Sequence, residues 1–138
     1  MGDSRDSAVE HLALDECWDL LTARDFGRLA VATDTGVDIF PMNYLVRDRE
    51  IFLRSAPGSK LARITQRPSI AFEVDGRRLP RRRWSIVVKG NIDRLGLDSE
   101  IVDSGILGLR SQNPTAKWNY LRISPEAVTG RRFRASRR

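Results

Sequence analysis

Apolar positions change their period once, early in the chain. Cys17, Trp18, Leu20 and Leu21 recur at helical spacing, which predicts an amphipathic helix. Asp15 is placed to cap it, Glu16 suits its positive end, Arg24 suits its last turn, and Gly27 stops it. From Arg28 onward the pattern is that of strands. Residues 28–33 (RLAVAT), 37–47 (VDIFPMNYLVR) and 50–55 (EIFLRS) alternate and are separated by short polar turns. Connections this short give an antiparallel meander. Pro41 removes a ladder donor in the middle of the second strand, which implies a bulge or an edge there.

The rest continues in the same style. A short helix is expected over 60–66, ended by Pro68, then a strand over 69–74 (SIAFEV). Residues 75–83 read as a turn-rich basic loop and 84–95 (WSIVVKGNIDRL) as a long strand. A helical stretch over 98–109 precedes a sixth strand at 118–123, with a seventh at the edge over 128–133. Six or seven short antiparallel strands with a few short helices predict a mainly β protein, a small β-barrel with helical plugs. The expected organisation is a disordered segment over 1–12, one barrel domain over 13–133 and a basic tail over 134–138.

Composition narrows this picture in three ways. A chain of 138 residues has room for one domain with its own core. No apolar run approaches a membrane span, and the polar start does not read as a signal peptide, so a cytoplasmic location without membrane contact is expected. Cys17 stands alone, which rules out an internal disulfide and a thiolate metal cage. The net charge of +6 is local, because ten arginines lie in two acid-free runs, five within 77–83 and five within 131–138. Without them the body holds 14 basic against 18 acidic residues. Such runs are usually solvated surface, and the loop lacks interleaved aromatics for base stacking, which disfavours nucleic acid as a partner.

Hydrolytic chemistry has no equipment here. His11 is the only histidine, so neither a Ser-His-Asp triad nor a histidine metal site can be assembled. Redox work remains open if a cofactor carries the reactive atoms. The best candidate segment is Arg54-Ser55-Ala56-Pro57-Gly58-Ser59-Lys60. A strand end, a glycine-containing turn and a helix start offer backbone donors, hydroxyls and two cations to one anion. A plain N-capped helix with Ser59 as the cap accounts for the same residues. Pro41, Met42, Asn43 and Tyr44 would expose backbone groups beside an amide, and Trp84-Ser85 would add an aromatic face and a hydroxyl. Core roles for Tyr44 and Trp84 stand beside that reading.

In this order the segments resemble the pyridoxamine 5′-phosphate oxidase-like, FMN-binding split β-barrel family, near its short nitroimidazole-reductase-like members. The residues carrying the resemblance are Leu14 to Trp18, Gly27 to Ala30, Ile39 to Tyr44, Arg54 to Lys60 and Trp84 to Gly90. The resemblance implies a homodimer with two flavins in clefts at its interface. It implies that Ser59 and Lys60, helped by Arg54, hold the FMN phosphate beside Ser55 and Gly58. Residues 41–44 would lie along the flavin ring, with Trp84 and Ser85 arriving from the partner subunit. The implied activity is a flavin-dependent oxidoreductase that passes hydride or electrons to a small oxidised organic molecule. True pyridoxamine-phosphate oxidases end in an arginine-bearing substrate motif absent from this sequence, so the oxidase reaction itself is not implied. A reductase using the 8-hydroxy-5-deazaflavin coenzyme, and a non-catalytic flavin-binding or redox-sensing protein, are the alternatives.

A phosphate held by Lys60 makes a direct prediction. Lys60→Ala should weaken FMN binding about tenfold to a hundredfold, the worth of one charge-assisted bond. Riboflavin lacks the phosphate, so its affinity should barely change. Fluorescence titration of both ligands into both proteins checks this, and equal losses would mean the site is misassigned.

Overall fold

The computed structural model describes residues 9–33, 36–56, 61, 68–96, 101, 103–106 and 119–134. Its elements are β1 (Val9–His11), α1 (Leu14–Thr22), β2 (Phe26–Thr33), β3 (Gly36–Arg47), β4 (Glu50–Ser55), β5 (Ser69–Leu79), β6 (Arg82–Arg94) and β7 (Asn119–Arg134). All pairings are antiparallel, in the order β1-β7-β4-β3-β2-β5-β6. β6 also pairs with β7, so six strands close on themselves and β1 adds outside β7. The expected antiparallel barrel is therefore the fold, and it is a split β-barrel.

Strand alternation fills the inside. Leu29, Val31, Tyr44, Ile51, Leu53, Phe72, Val74, Ile86, Val88, Leu121 and Ile123 are buried in one cluster, and Cys17, Trp18 and Leu21 of α1 plug its end. The plug is fixed by two contacts. The Tyr44 hydroxyl donates to the Leu21 carbonyl at 2.5 Å, and a Cβ on Gly130 would stand 2.6 Å from Cys17 Sγ. A smaller cluster of Phe52, Leu95 and Ile106 packs on the other face of β4.

Several boundaries differ from the sequence expectations, each for a visible reason. Val9–His11 form a strand against Arg131–Phe133 rather than a disordered lead-in. Asp15 sits in the first turn of α1 instead of capping it, and Arg49 pairs with it at 2.5 Å. The helix ends at Thr22, and Arg24 lies beyond it with its guanidinium 5.4 Å from the Trp84 ring. The basic loop shrinks to Pro80-Arg81, because β6 is hydrogen-bonded on both sides and carries β5 with it out to Leu79. The two last strands are one, β7, with partners on both sides rather than an edge. The helix expected over 60–66 lies outside the described residues apart from Leu61, which is buried in the main core. Of the stretch 98–109, Ile101, Asp103 and Ser104 are helical.

Pro125 survives inside β7 because the β6–β7 register shifts opposite it, between Lys89 and Gly90. A bulge is where a strand tolerates a residue without a donor. Gly90 makes room for it, since a Cβ there would fall 2.2 Å from the Ser124 carbonyl oxygen. Among the described residues no helix is long and apolar enough to cross a membrane. Gly90→Ala should cost about 1–3 kcal/mol, the usual penalty for overpacking, which urea unfolding measures directly.

Candidate functional site

The barrel opens where β3 and β4 part. Their ladder runs from Arg47↔Glu50 to Tyr44↔Leu53 and ends there. β4 continues two residues further to Ser55, held by β7 through Arg54↔Tyr120 and Ser55↔Asn119. β3 continues back to Gly36, held only by β2. The strands diverge because each follows a different neighbour.

The register fixes which backbone groups face the opening. The Tyr44 N–H donates to the Asp25 carbonyl at 2.9 Å. Antiparallel alternation then turns Met42 and Phe40 toward β2 and leaves Val37, Ile39, Pro41 and Asn43 facing away from it. Pro41 therefore sits at an open edge, where a missing N–H costs nothing. The β2–β3 register runs unbroken from Gly36 to Asn43, so the edge alternative holds and the bulge does not. The exposed Asn43 side chain is tied to the same turn, Nδ2 donating to the Asp25 carbonyl at 3.1 Å.

On the opposite lip stands Ser55. It is 4% exposed, and among the described residues its Oγ has no hydrogen-bond partner. A buried hydroxyl left without a partner costs about 1–3 kcal/mol, so the site invites a ligand oxygen. Cross-strand partners share a face, which puts Asn119 beside it. Arg94 reaches the same place, donating to the Asn119 side-chain oxygen. Arg94 and Asn119 were not legible as site residues, since only the β4–β7 and β6–β7 registers bring them to Ser55.

The other expected site residues divide. Arg54 is half-buried next to Ser55, while Gly58, Ser59 and Lys60 lie outside the described residues. Met42 is buried in the core. Tyr44 is a core residue: its ring packs edge-on against Phe72 at 5.2 Å, and burial, with Asp25 nearby, raises the phenol well above its ordinary pKa. Trp84 is buried between Gly76, whose Cβ would meet the indole at 2.6 Å, and Arg24. Ser85 is on the other face of β6, half-buried on the outside of the barrel. Trp84 and Ser85 lie opposite Arg132 and Arg131, at the other end of β7 from the Asn119 that adjoins Ser55. A separate cleft of about 200 Å³, lined by Arg47, Glu50, Asp103 and Arg122 among others, contains none of these residues.

Outside the barrel, beside the open edge, lies an apolar strip. Val37 and Ile39 are 70% and 64% exposed. In register with them come Ala32 and Ala30 of β2 and then Ala71 of β5. A charged cluster bounds it, Arg28 at 3.2 Å from Glu73 and 3.3 Å from Asp75. Desolvation raises Glu73 to about 7, helped by its hydrogen bond to Asp75 and the charge there, and opposed by Arg28.

Comparison with known proteins agrees with the fold. A family model described as pyridoxamine 5′-phosphate oxidase matches residues 13–132. A candidate pyridoxamine 5′-phosphate oxidase of Corynebacterium glutamicum superposes with a TM-score of 0.81 at 32% identity, over 95% of this chain and 97% of that one. A protein of Mycobacterium smegmatis described as FAD-binding gives 0.76 at 30% identity, over 90% and 98% of the two chains. An uncharacterized protein of Mycobacterium tuberculosis is 30% identical over 90 residues, 65% of this chain and 81% of its own.

The Glu73 carboxyl predicts a pH dependence. An acid whose folded pKa lies above its ordinary value of 4.5 holds more protons folded than unfolded between the two values. Its contribution is thus fully present below pH 4.5 and is lost as pH rises through about 7. The thermal midpoint should decline across that window, and Glu73→Gln should flatten the decline. A variant with an unchanged profile would clear Glu73 of the role.

Proposed function

Because the chain belongs to the pyridoxamine 5′-phosphate oxidase family, we propose that it binds a flavin in the cleft between β3 and β4. We take FMN as the first candidate. The observation that carries this reading is the buried Ser55 Oγ at the lip of that cleft, without a hydrogen-bond partner among the described residues. A phosphate oxygen is the natural acceptor for such a hydroxyl, and Arg94 supplies a cation on the same face. The open edge of β3 offers backbone groups at Val37, Ile39 and Pro41 to the rim of a flat ring. A bound flavin supplies two-electron chemistry, which suits an oxidoreductase acting on a small oxidised organic molecule. The protein's own part is to hold the phosphate, orient the ring and exclude water.

A homodimer accompanies the proposal. The exposed strip of Val37, Ile39 and Ala32 needs a cover, and the cleft is open on that side. In such a dimer Ser85, being on the outer face of β6, is better placed than the buried Trp84 to meet the partner's flavin. A second reading, FAD in place of FMN, is favoured by relatives at 29% and 30% identity that are described as FAD-binding.

The visible spectrum of the purified chain distinguishes a flavin from no cofactor. Titration with FMN, FAD and the 8-hydroxy-5-deazaflavin coenzyme then ranks the three. Ser55→Ala gives the sharpest test, because its two effects have opposite signs. Without ligand it removes an unsatisfied buried hydroxyl, so stability should hold or rise. With FMN it removes a bond to a charged acceptor, so affinity should fall about tenfold to a hundredfold. Unchanged affinity for all three ligands would overturn the site.

A further inference from the structure

The outer face of β2 and β5 sets two carboxylates on one cation. A single Arg28 nitrogen, Nη1, stands 3.2 Å from Glu73 Oε1 and 3.3 Å from Asp75 Oδ2. The two acids are two residues apart on β5, so they share a face, and a hydrogen bond joins them. Two carboxylates against one guanidinium leave one negative charge in excess. The surroundings of the cluster are apolar. Cross-strand partners share a face, which puts Pro41 of β3 beside Arg28 and Val87 of β6 beside Glu73. Ala30 and Ala71 form the next row, which ends in Ile39. Two residues from Arg28 in the other direction, Phe26 is 48% exposed. Phe26, Val37 and Ile39, all large exposed hydrophobics, thus lie on this one face.

We propose that, in the homodimer put forward above, on which this rests, the second copy closes over the cluster and loads a proton onto each Glu73, so that the dimer tightens as pH falls. The reason is the charge count. Two copies bring two guanidiniums and four carboxylates into one interface, however the cluster of one meets that of the other. Two negative charges are then left over where water is excluded and an uncompensated charge is costly. One proton per copy brings the sum to zero. Glu73 is the acid that takes it, being the less exposed of the two, at 32% against 50% for Asp75. Desolvation and Asp75 already push its carboxyl up to about 7 against the pull of Arg28, so further burial has only to continue the shift. The other charged groups on this face stand further off. Lys89 of β6 lies one row away, opposite Ala71, and Arg131 of β7 lies beyond Ser85. Arg77 and Arg83 are two rows away along β5 and β6. Only Arg28 opposes the shift on Glu73.

Sedimentation equilibrium of the full chain between pH 6 and pH 9 tests the proposal. The wild-type dissociation constant should be flat below about 7 and rise above it. The rise should reach at least about tenfold by pH 9, with a ceiling of about a hundredfold per pH unit for two protons. Glu73→Gln keeps the shape of the acid and removes the excess charge, so its dimer should be as tight at pH 9 as at pH 6. Asp75→Asn should do the same, because Arg28 then has only Glu73 to balance. A role confined to packing would not give both variants the same flat profile, and either serves where the other fails to fold. A wild-type dimer whose affinity is constant or grows with pH overturns the proposal alone, as does a slope that survives both substitutions. A monomer at every pH overturns the homodimer as well.

Discussion

The β6–β7 ladder is the interaction on which the rest depends. Without it the strands would form an open sheet with β6 as a bare edge, and the core side chains of β5 and β6 would have no opposite wall. Its length, from Arg82↔Arg134 to Arg94↔Leu121, is bought by one irregularity. Strand β7 must bend to meet β4 at one end and β1 at the other, and the shift at Gly90 opposite Pro125 supplies the bend. Closure also determines where the barrel opens. Because β7 holds β4 as far as Ser55, and β2 holds β3 along its other half, the two middle strands cannot stay paired past Tyr44. The cleft is therefore a product of the topology, and Ser55 stands in it because β7 puts it there.

Much of this was legible in the sequence, and the parts that were not share a cause. Alternation located the strands well, and the bounds 50–55 matched β4 to the residue. What alternation cannot report is the partner. The stretch 75–83 reads as a loop by composition, yet it is strand because β6 is bonded on both sides. Ser124-Pro125 reads as a break, yet a bulge absorbs it. Val9–His11 looks too short and polar to order itself, and it does so by borrowing the ladder of β7. In each case tertiary pairing overrides local propensity.

The candidate site shows the same limit from the side of chemistry. Pro41 and Ser55 were readable, one as a missing donor and the other as part of a polar strand end. Tyr44 and Trp84 were ambiguous because an aromatic ring serves a core and a ligand equally well. Burial resolves them: the Tyr44 hydroxyl is spent on Leu21, and the Trp84 ring on Gly76 and Arg24. Arg94 and Asn119 carry no local signal whatever. They become neighbours of Ser55 only after β6, β7 and β4 are laid side by side.

The two cationic regions of the molecule belong to opposite ends of one strand. Asn119, beside Ser55, opens β7, and Arg131 and Arg134 close it. Twelve residues of strand separate Asn119 from Arg131, about 40 Å of contour at ~3.3 Å per residue. Curvature of the barrel shortens that distance, and the plug of Cys17, Trp18 and Leu21 packs at the Gly130 end of the strand. A small ligand held at Ser55 therefore does not reach the arginine end of the same chain.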